Sequence, residues 1–306
     1  MKTLFPVQGI ITVLNTPFSY DNQVDLNDLK NHVRVAMQAG VSGFLVPAMA
    51  SEVYKLSKKE RLNMVETVLT ETNNEAVVFA GTGETDLARS LELLKEYIEL
   101  GCENVLFQIP FENRNQFKKH FMEMANLQPK VIMLQDWDSS GYGLPDDLIL
   151  ELFDCVDSFR CLKIETNFSG VKYSRIKRLT DNQLHISGGW GVTHMLEGLE
   201  RGVHAFMPTG MHYIYTQIFR DYISGNIKEA EDLFEKILPV LVFSNQNIDF
   251  SIQFFKSLLF RQGIYSTSYV REPHYNFDKI QNNIAQKYIS RIIDLEEEII
   301  NRRRIS

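Results

Sequence analysis

The segment AVVFAGTGETDLARSLELLKEYIELGCENVLFQIP, residues 76–110, decides the fold. It reads as an apolar run, an amphipathic run and a second apolar run. AVVFAGTG (76–83) and NVLFQIP (104–110) have strand length. Between them, TDLARSLELLKEYIELG carries helical period and ends at Gly101, where a glycine closes a helix. Strand, helix and strand in this order predict a parallel pair joined by a crossover helix.

The unit recurs. Further strand candidates are GIITVLNTP (9–17), GFLVPA (43–48), KVIMLQDW (130–137), FRCLKIET (159–166), LHISGGW (184–190) and HAFMPTG (204–210). Ser57, with Glu60 three residues on, has capping-box spacing before a helix. The repeat is regular and no G-x-G-x-x-G follows the first run, so a closed barrel is expected over an open doubly wound sheet. From about residue 225 the pattern turns wholly helical. The expected fold is α/β: a (β/α)8 TIM barrel over 1–224, with a C-terminal helical extension over 225–306 packed on it.

Composition narrows the function. Hydrophobic residues make up 44% and charged residues 23%, as in ordinary globular proteins. A net charge of −7 leaves no electrostatic footprint for nucleic acid. Arg302, Arg303 and Arg304 read as a helix end that suits the helix dipole. Cys102, Cys155 and Cys161 are dispersed and odd in number, which suggests neither a disulfide framework nor a zinc site and fits a cytoplasmic setting. His185, His194, His204 and His212 lack metal-ligand spacing. The start of the chain does not read as a signal peptide, and no apolar window suits a membrane span. No metal, cofactor, nucleic-acid or membrane partner is expected.

Active sites of such barrels lie at the C-terminal ends of the strands. FRCLKIET departs there from an apolar strand. Leu162 and Ile164 suit the helix layer, which points Lys163 and Glu165 into the barrel. A buried lysine must be paired, neutral or chemically used. Desolvation favours the neutral amine, the form that attacks carbonyls. The pattern fits two readings equally: a Schiff-base lysine, or a Lys163–Glu165 ion pair that fills the barrel. A neighbouring carboxylate favours the ammonium and works against the first. AGTGET (80–85) is a tight turn without P-loop spacing.

The chain resembles the dihydrodipicolinate synthase/N-acetylneuraminate lyase family, lyases and aldolases that bind 2-keto acids as a Schiff base. The resemblance rests on TPF with VDLNDLKNHVRVAMQAGVSGFLV, on AVVFAGTGETDLARSLELLKEYIELGCENVLF, on CLKIET, and on FFKSLLFRQGI with VREP near the end. It implies a (β/α)8 barrel with C-terminal helices, the imine-forming lysine at Lys163, and a homotetramer (dimer of dimers) or homodimer. It implies a small-molecule substrate, a pyruvate-like or sugar-derived 2-keto acid. The alternatives are a non-catalytic keto-acid or sugar-binding paralogue, and a 2-keto-3-deoxy-acid dehydratase.

The departures are specific. The family's G-T-T-G-E loop falls on AMASE, which keeps Glu52 but puts Met49 and Ala50 where the threonines stand. The tyrosine ending the fifth strand falls on Gln135, which cannot titrate. The partner tyrosine's segment falls on Phe111 and Glu112, and the family synthase's arginine has no counterpart among Asp138, Ser139 and Ser140. These losses argue against a dihydrodipicolinate synthase. Glu165, about 7 Å along the strand from Lys163, is the preferred replacement base. Glu52, Glu112, Gln135 and Thr209 are candidate substrate contacts. Gly188 and Gly189 are expected to leave room for a ligand chain, with Trp190 as a wall.

Overall fold

Each apolar run forms a strand and each amphipathic run a helix. In the computed structural model, which describes residues 2–84 and 86–305, the order is β1 (Gly9–Val13), α1 (Leu26–Ala39), β2 (Gly43–Leu45), α2 (Lys58–Thr72), β3 (Val77–Gly81), α3 (Leu87–Glu99), β4 (Asn104–Phe107) and α4 (Arg114–Ala125). It continues with β5 (Val131–Asp138), α5 (Asp146–Cys155), β6 (Phe159–Thr166), α6 (Ser169–Leu179), β7 (His185–Gly188), α7 (Met195–Glu200), β8 (Ala205–Phe206) and α8 (His212–Ile223). Three helices end the chain: α9 (Ile227–Ser244), α10 (Ile248–Arg261) and α11 (Lys279–Ile305). The strands follow one another in sequence order as a closed barrel, the (β/α)8 fold. All eight expected strands are present, most of them shorter than the apolar runs, and β8 has two residues.

Helix ends obey local chemistry. The Ser57 hydroxyl accepts from the Glu60 N–H at 3.3 Å, and the Glu60 carboxylate accepts from the Ser57 N–H at 2.7 Å. This reciprocal cap satisfies two otherwise orphan donors. Gly101 follows α3 at φ +88°, a left-handed conformation that glycine adopts without steric cost.

The chain divides into two compact units, one of residues 2–8 and 77–207, the other of residues 9–76 and 208–305. In the first unit, β3 to β8 pair in parallel. Phe107, Phe121, Phe159 and Phe153 form an edge-to-face ladder with centroids 5.4–6.2 Å apart, joining β4, α4, β6 and α5. All four are buried, each worth about 1.5–3 kcal/mol of transfer free energy. The β5/β6 register slips by one residue: Ile132 pairs with Phe159 but Met133 pairs with Cys161. Arg160 is the extra residue, so alternation in FRCLKIET is not continuous as the sequence suggests. Its guanidinium turns out to the Thr3 carbonyl. The bulge lets Phe159 face the helices while the residues beyond it keep their own alternation.

The second unit holds β1 and β2 in parallel with α1, α2 and α8 to α11. A chain of buried polar groups runs through it. Thr12 Oγ1 lies 3.2 Å from His212 Nδ1, His212 Nε2 lies 2.9 Å from His32 Nε2, and His32 Nδ1 lies 2.9 Å from the Tyr265 hydroxyl. Tyr265 donates to the Asn15 carbonyl at 2.7 Å. Burial pushes His212 down to about 4, and burial with the adjacent His212 pushes His32 down as well, so the pair is neutral. Among the described residues no helix is long and apolar enough to cross a membrane.

Candidate active site

Lys163 stands near the C-terminal end of β6, one of the two eight-residue strands. Register places Gln135 of β5, Lys163 and Ser187 of β7 side by side. In a parallel sheet such partners project to one face. Lys163 is 5% exposed and Glu165 9% exposed. The Lys163 Nζ lies 2.9 Å from Glu165 Oε2.

Glu165 is held on three sides. Gln135 Nε2 donates to Oε2 at 2.6 Å, and the Trp190 backbone N–H donates to Oε1 at 2.7 Å. Burial pushes its carboxyl up. The Lys163 ammonium and the two N–H donors outweigh that and hold it below the usual carboxylate range. Glu165 is therefore an ionised acceptor at neutral pH, and Lys163 has a counter-ion in contact with it.

The glycines after β7 serve this arrangement. A Cβ on Gly189 would stand 2.5 Å from Cδ and 2.7 Å from Cγ of Glu165. A Cβ on Gly188 would stand 2.8 Å from the Tyr173 hydroxyl and 3.2 Å from Phe206. The space beside both glycines is thus filled by the protein's own side chains, where the sequence suggests room for a ligand. Open space lies next to Glu165 instead, a cavity of about 120 Å³ lined by Asp138, Ser139, Thr166, Asn167, Trp190 and His194 among others. Trp190 is the expected wall, 46% exposed.

A second buried lysine, not singled out by the sequence, stands on α6. Lys172 of α6 is fully buried. Its Nζ lies 2.5 Å from Asp136 Oδ2 and donates to the Tyr142 and Leu144 carbonyls, each at 2.7 Å. Asp136 Oδ1 in turn accepts from the Leu144 N–H at 2.8 Å. The pair ties the segment after β5, which begins with Ser139, to α6. The signal in the sequence is a charge on the buried face of a helix, one residue before a buried tyrosine. Charges are common enough on helices to hide it.

Glu112 is exposed between β4 and α4. Thr209 is half-buried after β8. Glu52, in the second unit, is buried with φ +56°. Its Oε1 accepts from Lys256 at 2.7 Å, and its Oε2 from the Arg271 N–H at 3.1 Å and Lys55 at 3.3 Å. Lys256 and Arg271 sit 4.3 Å and 4.2 Å from the centroid of the Phe18 ring. Both Glu52 oxygens are thus occupied by its own chain.

The dihydrodipicolinate synthetase family model matches residues 6–292, nearly the whole chain. The chain belongs to this family. Its members are class I aldolase-type lyases. The chain is 25% identical over 246 residues to a 4-hydroxy-tetrahydrodipicolinate synthase of Oceanobacillus iheyensis, covering 77% of this chain and 82% of that one. A dihydrodipicolinate synthase structure from Rhodopseudomonas palustris superposes with a TM-score of 0.87 at 19% identity, covering 95% of this chain and all of the other. A catalytic-lysine mutant of the Ruminococcus gnavus sialic acid aldolase gives 0.83 at 15% identity, covering 98% and 100%. At such identities the structural likeness speaks for the fold alone. Among the described residues no cluster of three or more His, Cys, Asp or Glu side chains is arranged to hold a metal.

Proposed function

We propose that the protein is an imine-forming lyase in which Lys163 is the nucleophile and Glu165 its fixed counter-ion and proton carrier. The observation that carries this is a buried lysine in contact with a carboxylate at the C-terminal end of a barrel strand, in a chain of this family.

The geometry suggests a division of labour. An amine attacks a carbonyl only when unprotonated, so a proton must leave Nζ as the carbon–nitrogen bond forms. Glu165 Oε2 is within hydrogen-bond reach and can pass that proton to the departing hydroxyl. Held below the usual range, Glu165 returns the proton readily and serves the cationic iminium better than it would serve as a resting base. Gln135 and the Trp190 N–H orient the carboxylate and carry no proton in the reaction.

We further propose that the reaction is not that of dihydrodipicolinate synthase. Gln135 stands where that enzyme's tyrosine is expected, and Asp138, Ser139 and Ser140 offer no arginine for a second substrate carboxylate. The homotetramer or homodimer expected from the family belongs to this proposal. Sedimentation velocity over a range of concentrations tests it, and a monomer throughout refutes it.

The same ion pair favours a second reading, a binding paralogue in which Lys163 stays charged and unreactive. Reductive trapping separates the two. The protein is incubated with a panel of carbonyl compounds and cyanoborohydride, and its peptides are weighed. A lyase gives a mass increment on Lys163 with at least one of them. No increment with any carbonyl leaves the binding reading.

A further inference from the structure

We infer that Lys172 and Asp136 are positioning residues: they fix the loop after β5 and the strand end before it, so that the amide of Gln135 is aimed at Glu165. This rests on the roles proposed above for Lys163 and Glu165, and adds to them a pair on the other face of β5.

Gln135 and Asp136 are successive residues of β5 and point to opposite faces of the sheet. Gln135 Nε2 donates to Glu165 Oε2 at 2.6 Å, on the face that carries Lys163. On the other face Asp136, 1% exposed, meets the fully buried Lys172 at 2.5 Å. A charged pair this deep is a poor source of stability. Desolvation offsets most of its attraction, and an apolar pair of like volume is often as stable. What the charges supply is direction. The ammonium has three donors, and the Asp136 carboxylate and the Tyr142 and Leu144 carbonyls surround it.

Those bonds meet on one loop, residues 139–144. It folds back beside Asp136, whose Oδ1 accepts from the Leu144 N–H at 2.8 Å. Lys172 Nζ also lies 4.4 Å from the centroid of the Tyr142 ring, and the Tyr142 hydroxyl donates to Asp146 at 3.0 Å. Gly143, at φ +81°, is pressed against the pair, where a Cβ would collide with Asp136 Oδ1 and Thr166 Cγ2. Asp138 accepts from the Ser140 N–H at 2.9 Å and the Gly143 N–H at 3.2 Å. The Asn167 N–H donates to the Gly141 carbonyl at 3.3 Å, just beyond the end of β6. The loop is thus bound to the ends of the two strands that carry Gln135 and Glu165. Without the ammonium, the Tyr142 and Leu144 carbonyls lose their donor and the end of β5 loosens. Gln135 can then leave Glu165, which loses a donor that favours its ionised form.

Lys172→Met with Asp136→Asn tests this. Both charges go together, so the net charge near Glu165 is unchanged, and the asparagine still accepts from the Leu144 N–H. The titration midpoint of Glu165 is followed by carbon-13 NMR of protein labelled at the glutamate carboxyls, with the signal assigned by its absence in Glu165→Gln. A pair that served stability alone would not move this midpoint. In the paired variant it is expected to rise by at least about half a pH unit, as in Gln135→Ala. Gln135→Ala added to the paired variant is expected to raise it no further. Reductive trapping on Lys163 is expected to slow several-fold in both. A folded paired variant with an unmoved midpoint or an unchanged trapping rate overturns the inference. So does a combined shift equal to the sum, because the pair then does not act through Gln135. Failure of every carbonyl to label wild-type Lys163 refutes the imine reading instead, and leaves the midpoint to decide the positioning. One check needs no variant. In the wild-type protein the bond to Asp136 should slow amide exchange at Leu144 at least about a hundredfold relative to an unstructured peptide. Exchange at the peptide rate overturns the inference, because the loop is then not held.

Discussion

Gly189→Ala tests the Lys163–Glu165 arrangement without assuming any reaction. Gly189 has φ −131° and ψ −140°, outside the left-handed region, and the steric perturbation is the added methyl. That methyl would stand 2.5 Å from Cδ and 2.7 Å from Cγ of Glu165. These atoms belong to a side chain pinned by three donors and cannot retreat freely. If the backbone after β7 shifts instead, the cost is that of overpacking, about 1–3 kcal/mol. If Glu165 is expelled, Lys163 is left buried and unpaired, at about 3–5 kcal/mol. The cheaper adjustment decides, so a loss of about 1–3 kcal/mol is expected. Urea unfolding followed by circular dichroism measures it in Gly189→Ala, Glu165→Ala and the double variant. With Glu165 truncated the methyl has room, so the double variant should be more stable than additivity predicts by about 1–3 kcal/mol. Additivity within about 0.5 kcal/mol would mean that Gly189 does not shelter Glu165, and would refute the reasoning.

Other expectations follow from the same geometry. Lys172→Met should cost about 3–5 kcal/mol because Asp136 is left charged and buried, and Lys172→Met with Asp136→Leu should recover part of that in the same unfolding assay. Glu296 is pushed up to about 7, chiefly by burial and against the hydrogen bonds from the Tyr213 N–H and Gln262. Its folded form holds a proton that the unfolded chain releases near the ordinary value of 4.5, so its contribution to stability is lost as pH rises from 4.5 to about 7. The difference between wild type and Glu296→Gln should therefore change by about 3 kcal/mol over that window and be flat above it, as read from urea midpoints at several pH values. Tyr265→Phe leaves His32 Nδ1 and the Asn15 carbonyl without their partner and should lower the unfolding free energy by about 1–3 kcal/mol.

The fold was legible because parallel strands are buried on both faces and their crossover helices on one. Both leave periodic signatures that need no knowledge of the partner. The runs at 76–83 and 104–110 show this, as do Ser57 and Gly101 at helix ends, where the governing contacts lie within a few residues. Lys163 and Glu165 stood out for a related reason. Charges in an apolar strand are costly, and that cost can be read from neighbours two residues away.

What escaped the sequence was set by contacts between distant segments. No local rule shows that Ile132 pairs with Phe159 while Met133 pairs with Cys161, since a bulge depends on both strands. Gly188 and Gly189 are small in any reading, but only the packed structure shows their space taken by Tyr173 and Glu165. Glu52 carries the same charge in sequence whether it awaits a ligand or is saturated, and Lys256, 204 positions along the chain, decides that it is saturated. The sequence by itself determined the barrel and its buried lysine, because periodicity and burial cost are local. Tertiary structure alone decided which charges meet, because the energy of a buried charge depends on partners that only folding brings within about 3 Å.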